Sequence, residues 1–255
     1  MSNILAIAQK ELKSYFASPI AYVVIGLFAL MFGFFYYTLL GIFIEQGMRM
    51  MGMQGGPTQN VNEQMLRPLF LNASVLLLFV LPMITMRTYS EEKRSGTIEV
   101  LLTSPLTDVD IIMGKFLGAM ALYAAMLAVT LVHVGVLFAF GTPEWIPIAT
   151  GYLGLLLMGG CFISIGLLIS SFTRNQIVAV MATFAVFLLL WVINWVGPLT
   201  GPTTQAVLEY LSITSHLDDF TRGIIDTKHV VYYVSFIAFG LFLTARSVDT
   251  ERWRG

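Results

Sequence analysis

An all-α integral membrane protein is the fold class the sequence predicts, with six transmembrane helices, an N-terminal amphipathic interfacial helix and a polar helical segment between spans two and three. Composition is the first observation behind it. Of 255 residues, 57% are hydrophobic and 11% charged, whereas an ordinary soluble domain carries about 25% charged residues. The second is charge placement. Six stretches, 19–44, 68–86, 116–143, 145–173, 175–208 and 229–245, contain no Asp, Glu, Lys or Arg and together hold 153 residues. A bilayer core takes about 20 apolar residues per helical span. The third is the single cysteine, Cys161, inside an apolar run, which leaves no disulfide framework or cysteine metal site. A soluble fold, a nucleic-acid binder and a disordered tail are excluded. The net charge of −1 points to no charged partner.

The elements follow in chain order. Residues 3–17 read as a helix lying in the membrane interface. Ile4, Leu5, Ala8, Leu12, Tyr15 and Phe16 share one arc, with Asn3, Lys10, Lys13 and Ser14 opposite. Ser18-Pro19 opens the first span, about 20–44. Its apolar run is too long for a cleavable signal peptide, and no small-residue cleavage pattern follows. The second span, about 66–87, carries Pro82, a kink or stop. The third, about 108–140, is capped by Thr107 with Asp110 three residues on, a capping box with Asp in place of Glu. A tight turn at 141–147 leads into span four, about 147–172. Span five is about 176–197 and ends at Gly197-Pro198. Residues 198–228 form an outer loop too long for a simple connection, and span six is about 229–247. The whole chain reads as one membrane domain, 1–255.

Orientation comes from Lys and Arg counts. With a cytoplasmic N-terminus, the inside segments hold ten (Lys10, Lys13, Arg87, Lys93, Arg94, Lys115, Arg174, Arg246, Arg252, Arg254) and the outside segments four (Arg49, Arg67, Arg222, Lys228). The positive-inside rule then favours cytoplasmic termini, and Trp145 and Trp195 fall at the outer interface.

Residues 88–106 form the longest and most polar inside segment. Glu91, Glu92, Lys93 and Arg94 extend span two into water, Gly96 breaks that helix, and Thr97 caps a second one ending before Pro105. Ile98, Leu101 and Leu102 share a face there, flanked by Glu99. So short a helix cannot bury an apolar face alone and calls for a groove on another protein. The plainer reading, a charged hairpin joining two spans, stands beside it.

The run Glu91-x-x-x-Ser95-Gly96-Thr97-Ile98-Glu99-x-Leu101-Leu102-x-Ser104-Pro105, followed by Gly114-Lys115, resembles the ABC-2 type transporter permeases. Lys10-Glu11, the turn 170–176 and the six-span layout fit over the whole chain. The run Leu211-x-x-x-x-His216-x-x-x-Phe220-x-x-Gly223-Ile224-Ile225-Asp226 looks most like the gliding-motility-type subgroup. The resemblance implies a half-transporter in the bacterial inner membrane. It would pair with a second permease chain, as homodimer or heterodimer, and with two cytoplasmic ATPase subunits that carry ATP and magnesium. It also allows for an auxiliary periplasmic or membrane protein. The segment 88–106 becomes a coupling segment. Its ATPase contacts would be Glu92, Gly96, Thr97, Ile98, Glu99, Leu101, Leu102 and Pro105, with Lys10, Lys13 and Arg174 beside them. The outer loop 198–228 would fold back as short helices. The chain itself carries no phosphate-binding loop, because its only Gly-Lys, Gly114-Lys115, is followed by Phe116 and has Val109 where the first glycine belongs. No cofactor is expected on this chain.

Other residues carry paired readings. Met48, Met50, Met51 and Met53 form a Met-rich outer segment that offers thioethers to Cu(I), or simply a flexible Gly/Met stretch at the interface. Asn194 with Trp191 and Trp195 lines a substrate route or belongs to an aromatic belt; His216 in the outer loop is a gate candidate. His133 is the one titratable group in mid-span, and packing explains it as well. Gly114/Gly118 and Ala121/Ala125/Ala128 make a small-residue stripe for close helix contact, within the chain or at a dimer seam. Two other functions remain open. One is a six-span protein recruiting a cytoplasmic partner without transport. The other is an intramembrane hydrolase, which needs Ser164 and His133 within hydrogen-bond reach.

Overall fold

The structure, a computed structural model, describes residues 2–51, 60–98, 106–196 and 201–252. These residues are helical apart from short connections. In order they form α1 (Ser2–Ala17), α2 (Pro19–Met51), α3 (Arg67–Thr85), α4 (Ser90–Ser95), α5 (Asp108–Phe140), α6 (Trp145–Phe172), α7 (Gln176–Val196), α8 (Pro202–Leu211), α9 (Ile213–Thr221) and α10 (Thr227–Arg252). Six helices, α2, α3 with its flanking turns, α5, α6, α7 and α10, are long and apolar enough to cross a membrane.

Local chemistry sets several boundaries. Thr107 accepts from the Asp110 N–H at 3.1 Å while Asp110 reaches back to the Thr107 N–H at 3.3 Å, so the capping box that starts α5 is present. Pro82 sits one turn before α3 ends at Thr85, where its missing N–H weakens the ladder. A π-helical turn, Asn62–Leu66, precedes α3 and starts that span earlier than the apolar run does. The start of the Met-rich stretch is helical through Met51, beyond the expected end of span one near 44, and the exposed Glu45–Arg49 ion pair at 2.6 Å braces the extra turns; Met53 lies outside the described residues.

The core runs along α6, which touches α3, α5, α7, α9 and α10. It admits close neighbours because it is rich in small residues. A Cβ on Gly151 would meet the Phe70 ring at 2.6 Å, and one on Gly154 would meet Phe220 at 2.8 Å. The small-residue stripe of α5 is resolved in the same terms. A Cβ on Gly114 would lie 2.6 Å from Ile7, and one on Gly118 would lie 2.7 Å from Glu11. That part of the stripe therefore receives α1 within the chain. Consequently α1 buries Ile7 and Tyr15 against protein, while Leu5 of its apolar arc is 65% exposed.

The ends of the bundle differ. At one end lie α1, α4, the start of α5 and the α6–α7 turn. At the other, α8 and α9 fold across the span ends. Thr150 donates to the Phe220 carbonyl at 2.6 Å, Arg67 pairs with Asp218 at 2.7 Å, and Gly223 turns the chain at φ +88° against Pro147.

Candidate functional site

The end carrying α4 holds the most heavily buried charge among the described residues. Lys115 stands in the second turn of α5 at 1% exposure. An ammonium has three protons to place, and here each finds an acceptor: Glu92 Oε1 of α4 at 2.7 Å, the Thr88 carbonyl at 2.9 Å and Glu11 Oε1 of α1 at 3.0 Å. The Tyr89 ring lies 5.0 Å from the same nitrogen. One cation thus ties together the N-terminal helix, the extension of span two and the start of span three. Burying it is costly unless it is paired and hydrogen-bonded, and this one is both.

Neighbouring bonds fix α4 from its other side. Ser170 Oγ, at the end of α6, accepts from the Tyr89 and Ser90 N–H groups at 3.1 Å each and donates to the Met86 carbonyl. Lys93 donates to the Ser171 carbonyl, and Ser171 bonds Ser247 of α10 at 2.8 Å. Tyr15 of α1 donates to the Ile84 carbonyl at 3.2 Å, and burial pushes its phenol well above the usual range, so it stays a neutral donor. The helix α4 is therefore a platform bonded directly to α5 and α6, with Lys115 linking it to α1.

What leaves the platform is the segment singled out in the sequence. Gly96 ends α4 in a left-handed conformation, φ +75° and ψ 0°. The chain is helical again at Thr97 and Ile98, where the described residues stop. Glu99, Leu101, Leu102 and Pro105 lie outside the described residues. Arg94, Ser95, Gly96 and Thr97 are exposed, as are Lys10, Lys13 and Arg174. Lys10, Glu92 and Thr97 line one cleft of about 430 Å³ between α1 and α4, together with Ser18 and Arg87. Ile98 is 9% exposed and packs in the chain's own core. Glu92 is paired with Lys115.

The remaining candidates are dispersed. At the opposite end, His216 is 4% exposed and bonded to His229. Trp191 and Trp195 pack edge to face at 5.0 Å near the end of α7. Asn194 and the side chains of Met50 and Met51 lie outside what is described, as does Met53, and Met48 is exposed. Among the described residues no group of three His, Cys, Asp or Glu is arranged to hold a metal. Ser164 donates to the Cys161 carbonyl at 2.8 Å and abuts Gly240. His133 sits instead between Phe32 and Tyr36 of α2. The pair a hydrolase would need is not assembled. Sequence reading missed the role of Lys115. A lone lysine at the head of an apolar span was the available signal.

Comparison with known proteins agrees with this layout. The chain matches the family described as ABC-2 family transporter protein over residues 5–245. It is also 28% identical over 144 residues to the probable multidrug ABC transporter permease YbhR of Escherichia coli strain K12, and equally to the protein of that name from Escherichia coli O157:H7. Each alignment covers 55% of this chain and 38% of the relative. With six spans, a braced polar segment between the second and third, and a family match over nearly its whole length, the chain belongs to the ABC-2 family of transporter permeases.

Proposed function

We propose that this chain is the membrane-spanning subunit of an ATP-driven exporter, working as a pair of permease chains with two cytoplasmic ATPase subunits that bind ATP and magnesium. The observation that carries the reading is the platform. A short helix held on a buried cation by Glu92, Glu11 and a backbone carbonyl projects an exposed turn, Arg94–Thr97, and the segment that follows it. Motion of a partner pressed on that segment would pass through α4 to α1, α5 and α6 as a unit, because buried polar contacts rearrange between discrete states rather than bend. Lys10, Lys13 and Arg174 offer exposed cations around the same end, and charge complementarity there would orient the partner.

In this reading both termini face the cytoplasm of a bacterium and the chain lies in its inner membrane, as the ten-to-four lysine and arginine count favours. The cargo is amphipathic, lipid-linked or polypeptide, because no charged cluster lines a path through the spans. The subgroup is the gliding-motility type, on the run from Leu211 to Asp226. The test is a mass measurement on the complex extracted in mild detergent after co-expression with its ATPase partner. Two permease chains and two ATPase chains are expected. A single permease chain in a complex that still transports would overturn the reading.

A further inference from the structure

The opposite end of the molecule holds a second buried polar cluster that the transport reading does not use. His216 of α9 and His229 of α10 face each other Nδ1 to Nδ1 at 2.5 Å. The far nitrogen of His216 lies 2.9 Å from the Tyr210 carbonyl, and the far nitrogen of His229 lies 2.7 Å from Asp219 Oδ2. Both rings are buried, and His216 stacks on Tyr232 at 3.8 Å.

Proton counting constrains this chain of three contacts. A carbonyl oxygen and a carboxylate only accept, so each far nitrogen must carry a proton. The two facing nitrogens need one more between them. The pair therefore holds three protons, where two neutral imidazoles would hold two, and the extra charge is balanced by Asp219. With two protons, two lone pairs would confront each other across the central contact. With four, two N–H groups and two cations would. Only the three-proton state closes all the bonds.

The surroundings set where the charge sits. From α10, Lys228, Tyr232 and Tyr233 face His216; from α8, Tyr210; from α9 itself, Asp219. Asp226, paired with Lys228 at 3.1 Å, lies just before α10, and α3 contributes Arg67, already paired with Asp218. The neighbours α6 and α7 contain no Asp, Glu, Lys, Arg or His; α5, which packs on α10, has Asp108, Asp110 and Lys115 in its first two turns, at the other end of the bundle, and His133 against Phe32 and Tyr36. Burial, together with His229 and Lys228, holds the imidazole of His216 below its usual value, so His216 is the acceptor at the central contact.

We propose that His216 and His229 form a single-proton clasp that holds the α8–α9 cap most tightly to α10 across a middle range of pH. Gain of a fourth proton or loss of the third breaks the central bond and loosens α9 against α10, leaving the Tyr233 hydroxyl on the Ile213 carbonyl and the Tyr232 hydroxyl on the Leu211 carbonyl, each at 2.9 Å. The low-pH limb has a definite sign. His216 is depressed in the folded state, so the opened state binds more protons and closure weakens as pH falls through the ordinary histidine range, near 6.5. The inference is independent of which way the chain faces.

The test uses the full chain in lipid nanodiscs, where both faces meet solvent. With ¹⁵N-labelled histidine there are three residues to assign, His133, His216 and His229. Near neutral pH, three of the four ring nitrogens of His216 and His229 should carry protons, and one strongly deshielded proton should vanish in both H216Q and H229Q. A cysteine at half-buried Ser215, read against one at exposed Thr204 to cancel thiolate reactivity, reports opening. The labelling ratio should rise severalfold toward both acid and alkaline pH, and should lose that dependence in H216Q and H229Q. Two independently titrating rings, or a ratio flat with pH in the otherwise unaltered chain, would overturn the proposal.

Discussion

Replacing Lys115 by methionine removes the cation at the centre of the platform and keeps the length of the side chain. Two carboxylates then remain, Glu11 at 12% and Glu92 at 16% side-chain exposure, with no counter-charge between them. Breaking a buried ion pair by deleting one partner costs about 3–5 kcal/mol, because the charge left behind is uncompensated. Here two charges are left, so the upper part of that range applies. In a chain of this size each kcal/mol moves Tm by roughly 2–4 °C, so K115M should melt on the order of 10 °C lower in nanodiscs. Adding E11Q and E92Q to K115M should recover much of the loss, because replacing a whole buried ionic group by neutral residues is often near neutral. The loss should also appear locally, as faster proteolysis between α1 and α2 and around Arg94. A K115M protein with unaltered Tm and unaltered proteolysis would refute the claim that this cation holds α1, α4 and α5 together.

Three further outcomes follow from the same geometry. G96A forces a Cβ into a left-handed position at φ +75°, a strain of about 1–2 kcal/mol; Tm should fall only a few degrees while ATP-driven transport, measured in proteoliposomes, drops more sharply. G114A sets a methyl 2.6 Å from Ile7, and overpacking of this kind costs about 1–3 kcal/mol; hydrogen exchange over α1 should speed up, with exchange in α6 unchanged. L101D lies beyond the platform, so expression and melting should match the parent while the ATPase co-purifies poorly, since burying one leucine in a partner groove is worth about 1.5–3 kcal/mol.

Much of the fold was legible because bilayer and caps write short-range signals. Apolar runs mark the spans, Thr107 with Asp110 marks the head of α5, and Gly96 marks the end of α4. The site was harder. Lys115 bonds residues 104 and 23 positions away, so no local pattern separates it from an ordinary interfacial lysine. Gly114 and Gly118 announced a close contact but not that α1 supplies it. Helical spacing put Ile98 with Leu101, yet the turn at Gly96 rotates Ile98 into the core. The apolar run marked the end of span one near 44, whereas the Glu45–Arg49 pair continues the helix to Met51. His216 and His229 stand on separate helices, and their shared proton exists only in the folded chain.

The central claim is that the exposed turn after α4 is the surface an ATPase grips from the cytoplasm. It is tested most directly with a cysteine at Ser95, which is exposed, the natural Cys161 being buried. In oriented membranes a membrane-impermeant thiol reagent should label S95C from the cytoplasmic side only, and bound ATPase should protect it. Labelling from the opposite face, or labelling at an unchanged rate with the ATPase bound in an actively transporting complex, would contradict the account.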